Sequence, residues 1–224
     1  MKLCSICVLS VLVAAFAGLS IAAPQEDLVE ELRVDLEVWV EAVSDFIGEV
    51  SFDEADMRSF LDLYPELAVL MDDEAAIEEE NWDDEGWNEG EDASLAESFQ
   101  EVINLLGDPR YLSWAAENGL NAEDWMHKAA RILILSQGTM MGEYFEMADA
   151  QRQEQVGDLE AQREQLGEEM YAAMQASAEM MKLTREAWDD LPRPTAAEEQ
   201  LIADHMDEIS QLIGMDEGDE WGAP

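Results

Sequence analysis

Basic residues are scarce in this chain, with 11 Lys and Arg against 54 Asp and Glu over 224 residues and a net charge of −43. A phosphate backbone would meet like charge over almost the whole surface, so nucleic acid is excluded as a partner. Anionic membrane surfaces are excluded for the same reason. Cysteine is nearly absent: there are two, Cys4 and Cys7, both in the first seven positions. Histidine is limited to His127 and His205, and no proline falls between Pro109 and Pro192. After residue 22 there is no apolar run of roughly 18 residues, so no transmembrane segment is expected.

The first 22 residues read as a secretory signal peptide. Met1-Lys2 is a short positive start, Leu3 to Leu19 is an apolar run, and Ser20-Ile21-Ala22 is a small-x-small cleavage site. Cleavage after Ala22 keeps Pro24 out of the first mature position. It also removes both cysteines and Lys2, which leaves the mature chain without a thiol and one charge more negative. Disulfides, a cysteine nucleophile and thiolate metal sites are therefore excluded. These features suit an exported bacterial protein, periplasmic or extracellular.

What remains is rich in helical spacing. Leu28, Leu32, Leu36, Val40, Val43 and Ile47 recur at threes and fours over 25–50. Asp53 is placed to cap a short helix carrying Phe60 and Leu63, and Pro65 predicts a restart, giving a bent helical pair in an N-terminal part over 23–78. From Asp72 to Asp92 there are twelve acids in twenty-one residues and no base. Such a run repels itself, so 79–93 is expected to be a flexible acidic loop. Helix resumes at Ser94, whose Ser-x-x-Glu form with Glu97 is a capping box, and Gly107-Asp108-Pro109 stops it. A short helix from Asp108-Pro109 ends at Asn118-Gly119 as a left-handed cap, and Asn121 caps the next. That next helix carries Trp125, Ala129, Ile132, Leu133 and Leu135 and should be the most buried element.

Its pattern continues almost to Leu191, through a short local duplication in which Ala150-Gln151-Arg152 returns as Ala161-Gln162-Arg163. Over 150–180 the apolar spacing approaches 3.5, which predicts a long exposed helix or helical hairpin protruding in its middle. Leu191-Pro192-Arg193-Pro194 breaks it. Thr195 and Glu198 then cap a last helix through Leu201, Ile202, Met206, Ile209 and Leu212, expected to fold back on the long one. Residues 215–224 read as a disordered acidic tail. No strand is convincing, so the fold class is all-α: one helical bundle over 94–214 with a long helical hairpin, joined to the N-terminal helices.

Chemistry finds little footing. Neither histidine belongs to a His-Glu-x-x-His zinc pattern, and the Glu-x-x-His of di-iron bundles fails because Asp124 and Ile202 stand three residues before them. Each reads as a surface histidine beside a carboxylate. There is no Gly-x-Ser-x-Gly elbow and no phosphate loop, and so many carboxylates nominate no glycosidase pair.

Two features are left. Asn81-Trp82-Asp83-Asp84-Glu85-Gly86, with Asp92 at the twelfth place, follows the frame of a calcium loop, though Asn81 and Asp92 replace its usual Asp and Glu. Asn81, Asp83, Glu85 and Asp92 are thus candidates for weak Ca²⁺ binding, against a plain solvated charge run. Seven of the 13 methionines, among them Met140, Met141, Met147 and Met180, lie between 140 and 181. Thioethers there can fill a core, hold Cu(I), or line a deformable groove for an apolar or helical protein partner. Met170, Met174 and Met181 are the candidates for partner contact.

Trp39, Trp114, Trp125 and Trp188 fall on helical stripes and should be core, whereas Trp82, Trp87 and Trp221 lie among acids. The acidity itself also suits an exported protein that stays soluble in salty surroundings. The function expected from all this is non-catalytic: a protein-binding adaptor or chaperone-like protein, with divalent-cation or copper binding as the competing class.

Overall fold

The computed structural model describes residues 25–72, 94–166 and 168–213. The expected signal peptide, the whole acidic loop 79–93 with its calcium-loop frame, and the acidic tail lie outside the described residues. Within them the fold is all-α, with seven helices and no strand.

Helix α1 (Gln25–Ile47) turns Leu36, Trp39, Val43, Phe46 and Ile47 inward. Helix α2 (Glu54–Asp72) begins at Asp53, whose Oδ1 accepts from the backbone N–H groups of Ala55 and Asp56 at 2.8 and 3.1 Å. Those backbone bonds hold the Asp53 carboxyl below the usual carboxylate range. The expected restart at Pro65 does not occur, and α2 is one helix with Pro65 inside it. The ring lies on the exposed side, while Met57, Phe60, Tyr64 and Leu67 are buried before and after it. Losing one helical hydrogen bond at Pro65 is outweighed by packing that holds both halves on one core face.

Helix α3 (Leu95–Asn104) has the capping box that Ser94 and Glu97 predict. Its first N–H groups also reach across to α1, because Asp35 accepts from Leu95 and Ala96 at 2.8 and 3.3 Å. After one 3-10 turn, Asp108 starts α4 (Pro109–Glu117), accepting from the Arg110 N–H at 2.7 Å. α4 ends on Gly119 at φ +70°. There Leu120 N–H donates to Ala115 O and Gly119 N–H to Ala116 O, the paired bonds of a Schellman cap.

Helix α5 (Ala122–Leu166) is the axis of the molecule. At 1.5 Å per residue its 45 residues span about 67 Å. Every residue from Ala129 to Gln137 is buried, so this segment is enclosed on all sides. Its neighbours there are α1, α2, α4, and the two helices that follow, α6 (Glu168–Asp190) and α7 (Ala196–Leu212). Lys128 ties it to α2, lying 3.1 Å from Asp56 and 2.9 Å from Asp124; hydrogen bonds to these carboxylates push the lysine pKa up.

The pattern running on towards Leu191 is not one rod. α5 and α6 are two helices, and α6 returns along α5: a Cβ on Gly138 would lie 3.5 Å from the Trp188 ring, and Arg131 reaches the Arg193 carbonyl at 3.3 Å. A rod from 122 to 191 would leave its second apolar stripe in water. Doubling back buries Leu183, Ala187 and Trp188. α1 then lies beside α6 and runs in the same direction, with Arg33 3.9 Å from Glu179 and Trp39 edge-on to Trp188 at 5.4 Å.

α7 opens with its Thr195–Glu198 capping box and rests on α2 more than on α5. Residues from all seven helices share one hydrophobic core. All four tryptophans expected there are buried.

Candidate partner-binding surfaces

The methionine-rich hairpin separates into an inner and an outer part. Met141, Phe145 and Met180 are buried. Farther out on α6, Met170 is 47% exposed and Met174 36%, while on the facing arm Tyr144 and Met147, on either side of the buried Phe145, are exposed as well. Met170, Met174 and Met181 fall at i, i+4 and i+11, which is one stripe of α6. Along it exposure declines inward, and Met181 is half-buried. The gradient has a geometric source: with Arg33 against Glu179, the first turn of α1 reaches only the level of residues 171–174, so α6 beyond that level has no α1 beside it.

Asn81, Asp83, Glu85 and Asp92 lie outside the described residues. Among the described residues no group of three or more His, Cys, Asp or Glu is arranged to hold a metal ion. His205 does sit among carboxylates, 3.0 Å from Glu208 and 3.9 Å from Glu54. His127 is placed differently from its expected surface position, with its ring 4.1 Å from that of Phe46.

At the base of the hairpin lies a contact that periodicity does not reveal. Arg131 and Glu198 are 4% and 1% exposed. Arg131 Nε donates to Glu198 Oε1 at 2.7 Å and a terminal nitrogen to Oε2 at 3.0 Å. The other terminal nitrogen bonds the Ile47 carbonyl at 3.1 Å. Glu198 also accepts from the Thr195 N–H at 2.8 Å and the Phe52 N–H at 3.4 Å. One ion pair thus joins the end of α1, the α1–α2 connection, α5, the α6–α7 connection and α7. Burial pushes the Glu198 carboxyl up, but the Arg131 guanidinium and the Thr195 donors outweigh it and bring it down to about 2. Both carboxylate oxygens are engaged within the fold, so this is a clamp and not a reaction centre. Its one sequence signal is an arginine immediately before the apolar run Ile132–Leu135.

Beside the clamp, an open groove of about 400 Å³ runs between α5 and α6, lined by Gly138, Phe145, Trp188, Arg185 and Arg193. Its Arg193 is already held by Asp189 at 2.9 Å. No described helix is long and apolar enough to cross a membrane. No family model, no curated protein and no solved structure matches this chain.

Proposed function

We propose that this is an exported, non-catalytic binding protein, chaperone-like or adaptor-like, that uses the outer part of the α5–α6 hairpin to hold an apolar or helical segment of another protein. The observation that carries the reading is the pair Met170 and Met174, exposed one helical turn apart on α6, with Tyr144 and Met147 exposed on α5. Unbranched thioether side chains adapt to varied apolar shapes at small conformational cost, which suits a surface with many clients. A signal-type N-terminus and a mature chain free of thiols are consistent with work outside the cytoplasm.

The test is site-specific photocrosslinking with the mature protein. A benzophenone side chain replaces Met174, and in a control it replaces Leu112, an exposed apolar residue on α4. The probe is an acidic test protein unfolded by reduction and carboxymethylation, whose capture charge attraction cannot explain. Crosslinking at 174 well above that at 112, lost in the competing variant Met170→Glu, is the expected result. Equal yields at the two sites would refute the hairpin as the binding surface.

A further inference from the structure

α1 carries a second apolar surface, separate from the hairpin tip. Val34 and Val38 are 54% and 50% exposed, one turn apart, although they lie on the same helix as the fully enclosed Trp39. They form the floor of an open groove of about 620 Å³ that is walled on one side by Ser94, Ala96 and Glu97 at the start of α3. The same stripe of α1 has Glu31 and Asp27 one and two turns before Val34, and Glu41 and Asp45 after Val38.

The acids are not equivalent. Asp35 is committed to the Leu95 and Ala96 N–H groups, and Glu97 accepts from Ser94 N–H. Glu30 is shared with Arg33. Asp27 and Glu31 have neither an ion-pair nor a hydrogen-bond partner among the described residues. The groove is thus an apolar floor with uncompensated negative charge at its end.

We infer that the Val34–Val38 groove is a docking site for a cationic amphipathic helix of a partner protein, with apolar residues at i and i+4 over the valines and Lys or Arg one to two turns away facing Glu31 and Asp27. Charge complementarity selects this occupant. The chain's own segments 73–93 and 214–224 carry acids and no base, so like charge opposes their seating there. A second copy would bring the same acids face to face. An anionic lipid surface is repelled.

The experiment uses two synthetic peptides of identical Lys/Leu composition, one patterned with Leu at helical spacing and one scrambled so that no apolar face forms. Titration calorimetry against the mature chain should show the patterned peptide bound about tenfold more tightly or better. Its affinity should also fall between about 50 and 300 mM salt. V34S/V38S, at exposed positions, should abolish the preference for the patterned peptide. D27N/E31Q should reduce the salt dependence while keeping that preference. M170E/M174E should leave both unchanged, which separates this groove from the hairpin surface. Equal binding of the two peptides, or a preference that survives V34S/V38S, would overturn the inference and leave only polyanion attraction. Sedimentation showing a dimer that V34S/V38S dissolves would overturn it in favour of a second copy.

Discussion

Glu198→Gln is the sharpest perturbation of this fold, because it preserves shape and removes one charge from a buried pair. In the native protein the carboxylate takes two short bonds from Arg131 and one from the Thr195 N–H. Lowering its pKa from 4.5 to about 2 corresponds to roughly 3 kcal/mol of stabilisation at neutral pH. Removing one partner of a buried pair costs about 3–5 kcal/mol by an independent route, since the other charge stays buried without compensation. The two figures agree, and either is a large share of a net stability of about 5–15 kcal/mol. Urea unfolding at pH 7, followed by the fluorescence of the buried tryptophans, measures the loss directly. Arg131→Met should cost a similar amount. The double variant R131M/E198Q should cost less than the two together by about 3 kcal/mol, the signature of direct coupling. The pH dependence has a definite sign. A carboxyl whose folded pKa lies below its unfolded value stabilises fully above about pH 4.5 and loses that contribution as the pH falls towards 2. The gap between wild type and Glu198→Gln should therefore be widest above pH 5 and should narrow below it. Relief of general acid repulsion is common to both proteins and drops out of the difference. A loss under about 1 kcal/mol at pH 7, or additive single variants, would refute the clamp.

Two further predictions concern backbone and charge. Gly138→Ala should stabilise by about 0.5–1 kcal/mol, because the new Cβ meets the Trp188 ring at an ordinary 3.5 Å in mid-helix, whereas Gly119→Ala, at φ +70°, should destabilise by about 1 kcal/mol; thermal melts of the two variants should move in opposite directions. Added sodium chloride should raise the melting temperature by screening the acidic surface, and D83N/E85Q/D92N should raise it at low salt. A melting transition that responds to micromolar calcium and is lost in that triple variant would instead establish an ion site at those residues.

Much of this fold follows from short-range rules. The Ser94–Glu97 and Thr195–Glu198 boxes, the Asp108 cap and the Gly119 turn each involve residues a few positions apart, and a few neighbouring residues decide whether orphan N–H and C=O groups find partners. The burial of Trp39, Trp114, Trp125 and Trp188 was legible for a similar reason, since helical spacing places them on apolar stripes. Along the outer hairpin, the abundance of methionine singled out Met170, Met174 and Met181 as candidates for partner contact but not where α1 stops covering α6. Tertiary packing decided the rest. It carried α2 through Pro65, laid α6 back along α5, and brought Arg131 to Glu198 across 67 positions. It also left Val34 and Val38 open on a helix whose other apolar side is sealed by α6. α1 is apolar on more than one face, and periodicity identifies apolar stripes without saying which of them a neighbouring helix will cover. That choice belongs to the whole bundle, because burying one stripe depends on the shape and charge of every surface that could meet it.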